Sequence, residues 1–168
     1  MSDEEIKIHR GLNNVYFDRT KTTYINGKEG VLEYRGYNIH DLSEKSSFEE
    51  VSYLLLYGKL PTKNELDGFN SSLKESRKIP SQVIDIIKSI KDSHPMDVLR
   101  TAVSALSTFD EEASDKSYDA TMRKGIRLTS QVPTIVMAHN SIRNGKDPVE
   151  PSKELSHAAN FIYMLDGR

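Results

Sequence analysis

The sequence predicts a mainly α-helical fold with a small β-hairpin near its N-terminal end. Three observations carry this. From Ser47 onward, apolar residues recur at three- and four-residue spacing in successive blocks. Cap residues and Gly or Pro breaks punctuate those blocks. Ahead of them, "VYFDRTKTTYINGKEGVLEY" is rich in β-branched and aromatic residues, with Asn26-Gly27 and Gly30 as turn chemistry. At 168 residues the chain has room for one domain with a real core. It divides into a hairpin segment, 1–37, and a helical segment, 38–168.

Two short strands are expected between Val15 and Tyr34. Asn38 or Asp41 then caps a short helical turn, and Ser46-Ser47 precede "FEEVSYLLLYGKLP". In that helix Phe48, Val51, Leu54 and Leu55 form a buried stripe, and Gly58 followed by Pro61 ends it. Thr62 and Glu65 have capping-box spacing, and Leu66, Phe69 and Leu73 share one face of the following helix. Pro80-Ser81 restarts the pattern, marked by Val83, Ile84, Ile87 and Ile90.

Pro95 sits at the first helical position of "PMDVLRTAVSALSTF", whose Met96, Leu99, Ala102, Val103 and Leu106 make a broad apolar face with small residues. "DEEASDKS" reads as a charged loop. A long helical pattern from Tyr118 to Arg143 follows, with Pro133 expected to bend it. "NGKDPVEPS" breaks the chain before a last helix, "KELSHAANFIYML".

Composition narrows the function classes. With 36% hydrophobic residues, 29% charged residues and a net charge of −2, the chain has the make-up of a globular protein. Its Lys and Arg are interspersed with Asp and Glu, so no basic stripe neutralises a row of phosphates, and nucleic-acid binding is not expected. The absence of cysteine removes disulfides, thiolate metal ligands and a cysteine nucleophile, and suits a reducing cytoplasm. "MSDEEIKIHR" has neither the apolar core of a secretory signal nor the arginines of a transit peptide. "YLLLY" and "VPTIVMA" fall far short of the ~20 apolar residues a bilayer span needs. Asn70-Ser71-Ser72 fits a glycosylation sequon but reads as polar helix surface.

Side chains with chemical potential are present but unconvincing as a site. His9, His40, His94, His139 and His157 lie far apart, and none has helical ligand spacing to another. His94 precedes Pro95 and reads as a cap, while His139 and His157 lie in apolar helices and read as satisfied core histidines. Glu49-Glu50 and Asp110-Glu111-Glu112 read as solvated surface. Gly27 and Gly30 match no phosphate loop, there is no Gly-x-Ser-x-Gly elbow, and the Tyr53 to Tyr57 stretch reads as core. The residues by themselves give a helical domain without a recognisable active site.

Four segments in order go further: "GLNNVYFDRTKTTYINGKEGVLEYRGYNIHDL", "SFEEVSYLLLYGKLPTKNEL", "HPMDVLRTAVSAL" and "HAANFIYML". Together they resemble the N-terminal part of citrate synthases, particularly the shorter bacterial and archaeal forms, through nearly the whole chain. The resemblance implies a citrate-synthase-like helical fold, the N-terminal part of its large domain, in a cytoplasmic homodimer. It implies condensation of acetyl-CoA with oxaloacetate and water to citrate and CoA, at entry to the tricarboxylic acid cycle. Acetyl-CoA is then a co-substrate and no metal takes part. An aspartate removes the methyl proton, a histidine stabilises the enol, a second histidine polarises the ketone, and arginines hold the carboxylates.

Those motifs, "H-x-x-H-E", "G-P-L-H-G" and "G-x-G-H" among them, would follow Arg168, and none occurs here. No catalytic, cofactor-binding or metal-ligating residue is therefore assigned, and the chain alone is expected to be inactive. Its "AVSAL" and "VPTIVMA" faces are expected to lack partners, giving self-association or poor solubility. Two alternatives stand beside this reading. One is 2-methylcitrate synthase acting on propionyl-CoA, which differs by one methylene in a pocket outside this chain. The other is a non-catalytic helical subunit that pairs with a separate catalytic polypeptide.

Overall fold

The computed structural model describes residues 8–12, 15, 16 and 18–167. The expected strand at Val15 reaches partly outside them, since Phe17 is not described. Within the described residues a three-stranded antiparallel sheet is followed by seven α-helices.

Strand β1, Thr23–Asn26, pairs with β2, Val31–Tyr34, with Thr23 opposite Tyr34 and Asn26 opposite Val31. The Asn26 side chain closes the turn by accepting from the Lys28 and Glu29 amides at 3.2 and 3.3 Å. Gly30 stands there at φ +67°, where only glycine is unstrained. The sheet corrects the sequence reading twice. It starts at Thr23 rather than Val15, and a third strand, β3 at Tyr37–Asn38, takes the first residue assigned to helix. The cause is the turn between β2 and β3, where Arg35 and Gly36 both take positive φ, 52° and 86°. That geometry matches the twist of paired strands and folds Tyr37 back opposite Tyr34.

Helix starts follow the cap residues closely. Asn38 accepts the His40 amide at 2.9 Å and opens α1, Ile39–Lys45, while Asp41 sits inside the first turn and pairs with Lys45. Ser47 and Glu50 close a capping box at α2, Phe48–Tyr57, which ends at Gly58 with φ +81°. Thr62 and Glu65 do the same for α3, Lys63–Glu75. Helix α4 spans Ser81–Ser89, and α5 spans Pro95–Leu106 with His94 as its cap. Helix α6 runs through Tyr118–Arg143, and α7 through His157–Asp166. Pro133, expected to bend this helix, lies inside one continuous 26-residue element.

Helix α6 organises the core. Near its C-terminal half Ile135, Ala138 and Ile142 meet Val83 and Ile87 of α4 and Val98, Ala102 and Leu106 of α5. Toward its N-terminal half Ile126 meets Tyr53 of α2 and Phe69 and Leu73 of α3. Removing each such side chain from water is worth about 1.5–3 kcal/mol. Small residues permit these approaches: a Cβ on Gly125 would stand 3.3 Å from a Leu56 methyl.

Ala102, Leu106, Ile135, Met137 and Ala138 are thus buried within the chain, against the expectation that "AVSAL" and "VPTIVMA" would lack cover. Two stripes shift. On α5 the buried residues are Val98, Ala102 and Leu106, four apart, which turns Met96 outward. On α2 the buried pair is Tyr53 and Leu54, and Phe48 lies outside. Helix α7 has no charged residue from 157 to 165. It turns His157, Asn160 and Met164 inward and leaves Ile162 and Leu165 exposed. No helix among the described residues is long and apolar enough to cross a membrane.

Candidate functional site

Polar groups converge at two places. The first is where the 110–117 loop crosses α6. Arg123 and Arg127 are four apart on that helix, so their guanidinium groups lie on one face. Arg127 binds both oxygens of Asp110 at 2.9 and 2.8 Å and reaches Glu112 at 2.8 Å. Arg123 donates its Nε to the other Glu112 oxygen at 2.8 Å. Hydrogen bonds from Arg123 and then Arg127 pull the Glu112 carboxyl down to about 2, and the Arg127 bond lowers that of Asp110. The acidic run read as solvated surface is therefore a clasp that pins the loop, with only Glu111 left exposed. Beside it lies a cavity of about 480 Å³, walled by Val103, Leu106, Phe109 and Leu128 with the clasp at its rim.

The second place is the start of α7. The His157 amide donates to Glu49 at 2.8 Å, and the His157 ring stacks on Phe48 with centroids 4.3 Å apart. Arg77, only 3% exposed, donates to the carbonyls of Ser152 and Leu155, the latter at 3.0 Å, and its Nε has no partner. The Thr134 hydroxyl donates to the Arg77 carbonyl at 2.8 Å, tying α6 to the same point. Burial pushes the Arg77 and His157 pKa values down. Sequence reading missed Arg77 altogether and placed Glu49 in solvent. The contacts join residues 75 and 108 positions apart, which no local pattern reports.

The other histidines take partners in different parts of the fold. His94 accepts the Met96 amide through Nδ1 at 3.2 Å, the cap that was expected. His139 is buried with Nε2 2.9 Å from the Lys91 carbonyl, and His40 is exposed on α1. His9 is exposed ahead of the sheet. Tyr53 is buried as expected, but Tyr57, stacked on it at 4.3 Å, is 39% exposed. Asn70 is half-buried on α3 rather than open surface. Glu50 serves the α2 capping box. Among the described residues no three His, Asp or Glu side chains are grouped to hold a metal ion. His94 and Glu50 cap helices and the Asp110 to Glu112 clasp pins a loop, so these groups build a scaffold.

Comparison with known proteins identifies the scaffold. The family model described as "Citrate synthase, C-terminal domain" matches residues 11–168. The citrate synthase of Deinococcus radiodurans is 45% identical over 161 residues, which cover 95% of this chain and 43% of that protein. That of Haloferax volcanii is 41% identical, covering 96% and 44%. Among solved structures, the citrate synthase of Pyrobaculum aerophilum superposes with a TM-score of 0.91 at 37% identity, over 96% of this chain and 42% of that one. The Thermoplasma acidophilum enzyme, solved with carboxymethyl coenzyme A and oxaloacetate, gives 0.87 at 27% identity over 96% and 43%. The chain spans less than half the length of these relatives. On this agreement of sequence with fold, the chain belongs to the citrate synthase family.

Proposed function

We propose that the chain is the N-terminal scaffold of an enzyme that condenses acetyl-CoA with oxaloacetate and water to give citrate and CoA. The observation that carries this reading is the 45% identity to a citrate synthase across 95% of the chain. The matching family model is described as a C-terminal domain. Placement on the N-terminal side rests instead on the order of the hairpin, "LLLYGKLPT" and "HPM" segments, and on the absence here of the histidine motifs that resemblance puts downstream.

In this reading the 168 residues hold the geometry, and residues beyond them supply the chemistry. A carboxylate removes the methyl proton of acetyl-CoA and an imidazole stabilises the enol, which demands groups held in fixed positions. Helices α2 to α6 provide fixed positions, with α6 packed against both halves of the core. The chain alone does not condense the substrates. The complete enzyme is a cytoplasmic homodimer, and the apolar Ile162 and Leu165 exposed on α7 offer surface for further helices.

A chimera tests the reading. This chain replaces the matching 43% of the Deinococcus radiodurans enzyme, and citrate formation is followed by release of the CoA thiol. An active chimera is expected. A folded chimera with no turnover, beside an active parent, contradicts the proposal.

A further inference from the structure

The junction at the start of α7 does more than hold it. The first turn of α7 is seated by the His157 amide on Glu49, by the His157 ring on Phe48, and by Arg77 gripping the carbonyls of Ser152 and Leu155. Lys74 adds a bond to the Glu154 carbonyl at 3.0 Å, and the Asn160 side chain accepts the Ser152 amide at 2.8 Å. Of these contacts, the two made by His157, its amide on Glu49 and its ring on Phe48, are the ones that join the turn to α2.

That ring is poorly placed for a positive charge. His157 as a whole is 8% exposed and is the first residue of a helix. The N-terminal end of a helix carries partial positive charge and repels a cation. The charged groups acting on the ring are Glu49 from α2, which favours the imidazolium, and Arg77 from the segment after α3, which opposes it. Helix α6, packed along α7, brings none of them. Glu49 already accepts the His157 amide.

We propose that the Glu49, Arg77 and His157 junction is an acid-operated latch: neutral His157 seats α7 on α2, and protonation of its imidazole releases the first turn of α7 with residues 152–156. Burial is the largest influence and lowers the His157 pKa; Glu49 opposes it, and Arg77 adds a smaller push downward. The sign follows. The seated state prefers the neutral ring, so the latch is fully closed above the ordinary histidine range and loosens as pH falls below it.

Amide hydrogen exchange on the full chain tests this, comparing wild type with His157→Phe near pH 7.5 and near pH 5.5, either side of the ordinary histidine pKa. Comparison at equal pH cancels the intrinsic rates. Equal protection of the α7 amides is expected at the higher pH. At the lower pH the wild-type amides of the first α7 turn should exchange up to about tenfold faster than those of the variant, with α4 unchanged. Glu49→Gln keeps an acceptor but removes the favourable charge, so it should enlarge the acid effect. Equal protection in wild type and His157→Phe at both pH values overturns the latch. Proton NMR titration of the His157 ring in wild type is a second, independent test that needs no variant. A midpoint below that of free histidine is expected, and one at or above it overturns the proposal.

Discussion

Arg35 donates from Nη2 to the Leu55 carbonyl at 3.0 Å, so the turn between β2 and β3 closes the C-terminal end of α2. Its guanidinium lies over Gly58, with Cζ 3.8 Å from where a Cβ would stand. A cation at a helix C-terminus is favoured by the helix dipole as well as by the hydrogen bond. The sheet and the first long helix are thereby one unit.

The backbone at Arg35 separates the two contributions. Arg35→Ala loses the bond to Leu55 but keeps the strained φ of 52°. Arg35→Gly loses the same bond and relieves the strain, worth roughly 1 kcal/mol. Urea denaturation should place Arg35→Ala about 1–2 kcal/mol below wild type, with Arg35→Gly between the two. A glycine variant less stable than the alanine variant would refute this.

Truncation of the core should be costly where α6 meets α4 and α5. Ile135 is fully buried, so Ile135→Ala should lose about 2–5 kcal/mol. Ile162, 62% exposed on α7, should tolerate Ile162→Ser within about 0.5 kcal/mol. Chemical denaturation of both variants checks the contrast.

The capping box of α3 gives a smaller, local effect. Thr62 and Glu65 satisfy each other's backbone amides, so Thr62→Ala should cost about 1 kcal/mol. A thermal melt indistinguishable from wild type would argue against the cap.

The clasp on the 110–117 loop should respond to acid. Glu112 is held down at about 2 by Arg123 and Arg127, so its folded pKa lies below its ordinary value of 4.5. A depressed carboxylate stabilises the fold above its unfolded pKa, and that contribution is lost as pH falls from about 4.5 toward 2. Protection of the loop amides, measured against intrinsic exchange at each pH, should fall over that window, and Glu112→Gln should show the lowered protection already at neutral pH.

How much could be read from residues alone depends on whether the signal is local. Ser47, Thr62 and His94 lie within three residues of the amides they cap, so helix starts were legible. The small sheet was half legible, because Asn26-Gly27 announces its turn while Arg35 at positive φ does not. Met96 and Phe48 fit a helical stripe as well as their neighbours do, and only packing chose Val98 and Tyr53 instead. Arg77 and the Asp110 clasp were illegible, since their partners are brought near by the tertiary fold.

Supplying acetyl-CoA and oxaloacetate to the pure 168-residue chain, and following free CoA thiol, tests most directly the idea that these residues position a reaction performed by others. No thiol above the protein-free blank is predicted. Sustained turnover that vanishes when the chain is unfolded would contradict it.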